Sequence, residues 1–379
     1  MRVQVKPDLL RWAHGRSGIE WGTLIKRFPQ LESWEREEIY PTFKQLEAFA
    51  GATHTPIGYF FLPVPPVERV PIPDYRTVGD LVTQPSPDLL ETIYTCQQRQ
   101  NWYRDFMLSS GEEPLAFVGS LQITTGIERA AAAIRNALNF SIEERRQCPT
   151  WDEALRRFIA QADSIGVLVM VNSIVGNNTH RKLDPDEFRG FALVDDLAPL
   201  VFINSADTKA AQMFTLAHEL AHVWLGRSAL SDSAPISRPS NEVERWCNRV
   251  AAELLVPLET FRQEYRPSPE LRVELDRLAR RFKVSTLVIL RRIYDAGGMT
   301  YDALRGAYQE ELDWLRAIAR RNGKGTFYPT HALRVGHRFA RALVTSTLEG
   351  RTLYRDAFRM LGVSKLSTFQ QIGRNLRVA

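Results

Sequence analysis

Two histidines and a glutamate near the middle of the chain have the spacing of a metal site. The run His218-Glu219-Leu220-Ala221-His222 places the imidazoles four residues apart. On a helix this spacing stacks both rings on one face, so that both can reach one ion while Glu219 lies beside it. The apolar residues within and around the run predict a buried helix, in which unpaired histidines would carry a large desolvation cost. The pattern therefore predicts a metal-binding helix.

A third ligand must come from another segment, because a catalytic zinc ion usually has three protein ligands and keeps one position for water. Residues 241–256 predict a second helix that ends before a proline. Glu244 on this helix is the preferred ligand, since Asn248 follows one turn later and could orient a ligand histidine. Glu242 stays as the alternative, although the residue one turn after it is a tryptophan.

These side chains would suffice for peptide hydrolysis. Zn²⁺ held by His218, His222 and Glu244 would acidify its water and polarise a peptide carbonyl. Glu219 would act as the general base and pass the proton to the leaving amine. Mn²⁺ is the alternative metal. The sequence identifies no group that would stabilise the oxyanion.

Short apolar segments before the motif predict a small sheet. Residues 165–171, 188–194 and 199–204 are apolar or alternating and are separated by Gly, Pro, Asn and Asp, which is typical of strands. A sheet followed by the motif helix predicts a zincin-like core. An exposed edge of the sheet could bind an extended peptide by strand addition, or the strands could serve only to bury the helix.

Together these segments resemble the ImmA/IrrE family of metallopeptidases. The resemblance extends over roughly residues 150–260 and is carried by residues 187–191, 199–204, 214–219 and 251–257. It implies a zinc site formed by the two motif histidines and a glutamate of the next helix, here His218, His222 and Glu244. It also implies an endopeptidase that cleaves a cognate regulator or repressor, which could be encoded nearby, in a stress or mobile-element response.

Residues 8–62 resemble the helix-turn-helix domain of phage-repressor (XRE-type) regulators. The resemblance is carried by Trp34-Glu35-Arg36, Pro41-Thr42 and Phe60-Phe61-Leu62, and it implies DNA recognition by the helix before Trp34. The alternative is a helical domain that makes protein contacts. Charge favours this alternative, because residues 1–65 contain 8 basic and 7 acidic side chains, with glutamates clustered where phosphates would approach.

The positive charge of the chain is concentrated near its C-terminal end. Residues 260–379 contain 23 Lys and Arg against 11 Asp and Glu, whereas residues 66–259 contain 18 against 26. A contact with nucleic acid is therefore predicted in the C-terminal part, with an acidic protein partner or a solvated helix surface as alternatives. The candidate nucleic-acid residues are Arg280, Arg281, Lys283, Arg291 and Arg292.

Proline runs and composition divide this α+β chain into a helical N-terminal domain, a zincin-like core and a helical C-terminal region. The predicted parts are an XRE-like domain (1–62), a Pro-rich linker (63–75), a peptidase domain (76–260) with a helical layer (86–146), and a basic helical domain (261–379). The chain has no long apolar run or signal peptide, which predicts a cytoplasmic protein without membrane contact.

Two functions of different class fit the sequence. The first is a zinc endopeptidase specific for one regulator protein. The second is a transcriptional regulator or antitoxin-like binding protein, whose metal site is not catalytic and whose end domains bind DNA or a partner. Glu219 favours the enzyme, because a purely structural metal site needs no general base. The substrate, the activating signal and the oligomeric state are left open.

Overall fold

The computed structural model describes residues 2–75, 84–231, 241–268, 270–321 and 334–378. The chain divides into two compact units, one formed by Met1–Pro71 with Val78–Tyr94 and the other by Ile72–Thr77 with Thr95–Ala379. Helical regions at both ends and a small sheet between them confirm the predicted α+β class. Residue 76, at which the peptidase domain is predicted to begin, lies outside the described residues, and the domain boundaries stay a prediction.

The first unit contains a small helical core. Its elements are α1 (Pro7–Ser17), α2 (Trp21–Arg27), α3 (Leu31–Glu35), α4 (Phe43–Ala52) and a 3-10 helix (Ile57–Phe61). The rings of Trp34, Phe49 and Phe60 meet at its centre. Pro29 lies between α2 and α3, so the segment before Trp34 consists of two short helices rather than one. The helix-turn-helix resemblance stays a prediction.

Along the chain, four helices lie between the first unit's small core and the sheet, and three of them begin in the segment 86–146 that was predicted to be helical, with residues 110–126 outside any helix. They are α5 (Pro87–Ser109), α6 (Ile127–Leu138), α7 (Ile142–Gln147) and α8 (Trp151–Ser164). Ser141 and Thr150 cap the first turns of α7 and α8 by accepting backbone N–H groups. Helices α6 and α8 each bury one apolar stripe, which joins the core around the sheet.

A four-stranded sheet has the strand order β1-β5-β4-β6. Its strands are β1 (Leu168–Asn172), β4 (Gly190–Leu193), β5 (Leu200–Asn204) and β6 (Ala229–Ser231), and β2 (Ile174–Val175) pairs separately with β3 (Asn178–Lys182). β1 runs parallel to β5, whereas β4 is antiparallel to both β5 and β6. All residues of the four strands are buried, which explains the continuous apolar runs in the sequence.

A segment of the predicted linker covers the β6 edge of this sheet. The Tyr75 N–H donates to the Leu230 carbonyl, the Leu230 N–H donates to the Pro73 carbonyl, and both distances are 2.9 Å. Asp74 lies beside Leu230 in a parallel bridge. Residues 73–75 therefore occupy the β6 edge, and an added peptide strand would have to displace them there.

Helix α9 (Lys209–Leu225) carries the motif and packs on β4 and β5. Every residue from Gln212 to Trp224 is buried, because the sheet and other helices surround the middle of α9. At its end, Gly226 adopts the left-handed conformation, and Gly119 approaches closely enough for its N–H to donate to the Val223 carbonyl at 3.1 Å. The position of the motif along the sheet is thus fixed by packing and by this cap.

The remaining helices continue the core. They are α10 (Glu242–Leu255), α11 (Leu258–Glu264), α12 (Leu271–Phe282), α13 (Thr286–Asp295), α14 (Tyr301–Arg321), α15 (His337–Leu348), α16 (Tyr354–Leu361) and α17 (Leu366–Asn375). Helix α10, predicted as residues 241–256, packs against both α9 and α6. None of the described helices combines the length and apolar character that a membrane span requires.

Candidate metal centre

Three side chains from two helices meet at one buried point. His218 and His222 project from successive turns of α9, and their Nε2 atoms are 3.1 Å apart. Glu244 reaches them from the first turn of α10, with Oε2 3.2 Å from His218 Nε2 and Oε1 3.0 Å from His222 Nε2. None of the three side chains is more than 1% exposed. The structure therefore brings together the ligand set that the sequence analysis preferred.

The separation of these atoms fits a metal ion. Ligand atoms about 2.0–2.1 Å from a tetrahedral ion lie about 3.3 Å from one another, and the observed separations are 3.0–3.2 Å. Two ring nitrogens and a carboxylate this close in a buried site require protons or a cation between them. Two imidazoles and one carboxylate suit zinc better than calcium or magnesium, which prefer oxygen ligands alone. The residues present thus fit a transition-metal site.

Glu242 does not reach this centre. Its side chain is 77% exposed and lies 3.7 Å from Arg245 in a surface ion pair. Two residues correspond to about 200° around a helix, so that Glu242 and Glu244 point in opposite directions. The geometry supports Glu244, and not the alternative Glu242, as the third ligand.

Burial and mutual charge set the pKa values of the side chains at this centre. Burial lowers the pKa of both histidines, but the adjacent Glu244 carboxylate outweighs burial at His218, whose pKa is raised, and not at His222, whose pKa is lowered. Burial opposes ionisation of Glu244, yet the two histidines hold the pKa of this carboxyl well below its usual range. The buried carboxylate and the two histidines thus favour positive charge at this point, which a metal cation would supply.

Glu219 lies beside the centre without being one of its ligands. It is fully buried, and its Cγ lies over Gly190 of β4, 3.5 Å from where a Cβ on that residue would stand. Burial raises the pKa of Glu219 to about 8, while His218 and Ser231 favour its charged form and oppose the shift. The predicted general base is therefore held between the ligand helix and the sheet.

Asn248 occupies the supporting position that the sequence analysis gave it. It follows Glu244 by one turn, is buried, and helps to raise the pKa of His218. Among the described residues, its amide atoms and His218 Nδ1 have no hydrogen bond of regular geometry. A metal-bound histidine needs a partner on its second nitrogen to fix the ring, and Asn248 is the polar neighbour placed to provide it.

Two further residues of the site have no signal in the sequence. Ser231 is fully buried, and its Oγ is 3.4 Å from both His222 Nε2 and Glu244 Oε1. The Tyr75 ring stacks on the His222 ring with 6.4 Å between centroids and an interplanar angle of 17°. Ser231 belongs to a strand of three residues and Tyr75 to the Pro-rich linker, so neither lies in a recognisable pattern.

The five candidate nucleic-acid residues do not share one environment. Arg281, Arg291 and Arg292 are held in ion pairs with acidic side chains of the same unit. Arg292 is the most enclosed of these, with its side chain 5% exposed. Arg280 is exposed, and Lys283 lies 5.4 Å from the centre of an aromatic ring. Nucleic-acid binding stays a prediction, which Arg280 and Lys283 are better placed to serve than the three paired arginines.

Comparison with known families identifies the part of the chain that contains the metal centre. Residues 162–294 match the family model of the IrrE N-terminal-like domain, Peptidase_M78, and this range includes His218, Glu219, His222 and Glu244. Residues 162–294 form an ImmA/IrrE-family domain. The match confirms the resemblance seen in the sequence and supports a metallopeptidase-type function for the ImmA/IrrE domain. It does not include residues 8–62.

A second match lies outside the ImmA/IrrE domain. Residues 335–375 match the model of a domain of unknown function (DUF8813), and this range contains α15, α16 and α17. No curated protein matches the chain.

Proposed function

We propose that the protein is a zinc-dependent endopeptidase that cleaves a cognate regulator or repressor protein in a stress or mobile-element response. The observation that carries the proposal is the convergence of His218, His222 and Glu244 on one buried point, with Glu219 beside them. The ImmA/IrrE match supports the peptidase class. The regulator as substrate is proposed from the family resemblance.

Each side chain then has a distinct part in the reaction. His218 and His222 bind through their Nε2 atoms and Glu244 through its carboxylate. Bound zinc supplies Lewis-acid chemistry, which polarises the scissile carbonyl and acidifies water. Glu219, the residue after His218, would take a proton from the attacking water and return it to the leaving amine. It is fully buried beside Gly190 of β4, which shields its carboxylate from bulk water.

A protein substrate is expected to enter as an extended segment along β6. Strand addition would hold its backbone beside Ser231, whose hydroxyl already borders His222 and Glu244. Residues 73–75 occupy this edge, and Tyr75 stacks on His222. A substrate strand would therefore have to displace residues 73–75. We expect this competition to slow cleavage.

The decisive experiment separates metal binding from turnover. New protein N-termini are compared across the proteome of host cells that express the wild type or Glu219→Gln, and the metal content of each purified protein is measured. Glu219→Gln is expected to keep its zinc and to abolish a small set of cuts. Cuts that persist in this variant, or no cuts with zinc bound in the wild type, would favour a binding protein instead.

The ligand assignment has a matched control on the same helix turn. Glu244→Ala is expected to lose tight zinc binding, because the site then keeps only two ligands. Glu242→Ala removes an exposed carboxylate two residues away and is expected to retain the zinc. Equal zinc content in the two variants would contradict the assignment of Glu244.

A further inference from the structure

A second cleft in the structure has no part in the metal centre. It has a volume of about 730 Å³ and lies between α5, α8, α15 and the C-terminal end of α17. Cavities of roughly 300–1,000 Å³ are the usual size for binding small organic molecules. The ligand residues and Glu219 do not line it. A ligand in this cleft would therefore not be the peptide substrate at the zinc site.

One part of the lining is apolar. Phe106 of α5, Ile159 of α8 and Leu376 after α17 contribute aromatic and aliphatic surface. Ile159 and Leu376 are each less than 9% exposed, so their side chains are fixed by packing. This surface can cover the apolar body of a ligand.

The one acidic side chain among the described lining residues, Asp163, is hydrogen-bonded and has basic neighbours. Asp163 accepts a hydrogen bond from the Arg338 backbone N–H at 3.3 Å, and the Arg338 guanidinium donates to the Asp163 carbonyl at 3.0 Å. The same guanidinium donates to the Tyr103 hydroxyl at 2.7 Å. A fourth lining residue, Arg156, pairs with Asp152 at 2.7 Å. Asp163 keeps its negative charge, but Arg338, Arg341 and Arg377 of the same lining outnumber it.

Two arginines of the lining could pair with the acid group of a ligand. Arg341 of α15 and Arg377 after α17 are exposed, and neither has an ion-pair partner within the described parts of the chain. Excess positive charge in a partly apolar cleft gives an anion a higher affinity than a neutral ligand of the same shape.

The backbone at Arg377 forms the turn that ends α17. Its φ of 55° is in the left-handed region, and the following N–H, of Val378, donates to the Gly373 carbonyl at 3.1 Å. This is the turn that commonly ends a helix, and its left-handed residue is usually glycine. The turn places Arg377 at the rim of the cleft, directly after Leu376 of its apolar wall.

We propose that this cleft binds a small organic anion, a carboxylate or phosphate ester with an apolar body. The acid group pairs with Arg341 and Arg377, and the body lies against Phe106, Ile159 and Leu376. A free acidic side chain of a protein partner would fill the charge requirement but not the apolar volume. The proposal gives the DUF8813 segment a role, since α15 within it supplies His337, Arg338 and Arg341 to the lining.

The test uses the full-length, zinc-loaded protein and three probes of one shape. Binding of 1-naphthaleneacetate, 1-naphthyl phosphate and the neutral 1-naphthaleneacetamide is measured by isothermal titration calorimetry. The two anions are expected to bind saturably and the amide at least roughly tenfold more weakly, because charge-assisted hydrogen bonds to guanidinium groups are lost. Equal affinity for the amide, or no saturable binding of either anion, would overturn the proposal.

Variants locate the binding in the cleft. Arg341→Gln removes an exposed charge, and Arg377→Gly removes the other while relaxing the left-handed backbone, so that both proteins are expected to fold. Each is expected to weaken binding of the anions roughly tenfold. Arg355→Gln on α16, whose side chain is 86% exposed and outside the lining, is the charge-matched control and should bind as the wild type does. Unchanged binding in both cleft variants, or equal loss in the control, would contradict the site.

Discussion

Replacing Gly190 by alanine is expected to separate the motif helix from the sheet. Gly190 lies in β4 directly under α9. A Cβ on this residue would stand 2.6 Å from Thr215 Cγ2 and 2.7 Å from the Phe202 carbonyl oxygen. Nine in ten Cβ contacts are longer than 3.4 Å, so the helix must shift by about 0.8 Å, the difference between 3.4 and 2.6 Å, to restore ordinary contact.

Two opposing effects set the expected change in the free energy of unfolding. Overpacking by one methyl group costs about 1–3 kcal/mol, and the upper part of this range applies here, because a backbone carbonyl cannot rotate away as a side chain can. Replacement of a glycine reduces the entropy of the unfolded chain and offsets about 0.4–1 kcal/mol of this cost. We expect a net loss of about 2 kcal/mol in the free energy of unfolding. A shift of about 1 Å at Glu219 would also lower turnover roughly 100-fold.

The assay is urea unfolding of the zinc-loaded protein together with peptide cleavage. Gly306→Ala is the matched control, because Gly306 is exposed within α14 and has no atom within 4 Å of its added Cβ. This control should be neutral or slightly stabilising. Adding Thr215→Ser to Gly190→Ala removes the nearest contact atom and should restore part of the stability. Wild-type stability and turnover in Gly190→Ala would refute the tight contact between β4 and α9.

Four further predictions concern the surroundings of the site. Removal of zinc by a chelator should lower the unfolding temperature of the wild type, since an ion at 100 times its Kd contributes about 2.7 kcal/mol, and calorimetry of Glu244→Ala should show no response to the chelator. Asn248→Ala should weaken zinc binding about 10–100-fold in competition with a chromophoric chelator; unchanged affinity would remove Asn248 from the support of His218. Tyr75→Ala should raise kcat/KM for a peptide substrate, because the strand over β6 is weakened, whereas a fall in kcat would give Tyr75 a part in the reaction. Arg292→Met leaves Glu253 buried without its partner and should cost about 3–5 kcal/mol in urea unfolding, while Arg280→Gln should leave stability unchanged.

The ligands and the main strands could be predicted because their signals are local. His218 and His222 are related by the helical period, and β1, β4 and β5 are continuous apolar runs because both of their faces are buried. The choice of Glu244 over Glu242 depended on which helix face meets α9, and the polar residue one turn later was sufficient to favour it. These features depend on neighbours within about one helical turn.

Ser231 and Tyr75 could not be predicted because pairing across the fold places them. Ser231 joins the site because β6 pairs with β4, which brings it opposite Gly190 and over the Glu219 carboxylate. Tyr75 reaches His222 because Leu230 exchanges hydrogen bonds with the linker more than 150 positions earlier in the sequence. A three-residue strand and a Pro-rich linker carry no periodic pattern that reports such contacts.

The basic C-terminal part illustrates the difference between counting charges and locating them. The excess of arginine is visible in the sequence, but some of the acids that pair with individual arginines lie more than a few helical turns away. Glu253 precedes its partner Arg292 by 39 residues, and Glu264 precedes its partner Arg281 by 17. Once these pairs are removed from the count, Arg341 and Arg377 stand out because they face a cleft with apolar walls. Net charge predicted an anionic partner for this region, and the pattern of pairing makes a small organic anion the partner that fits.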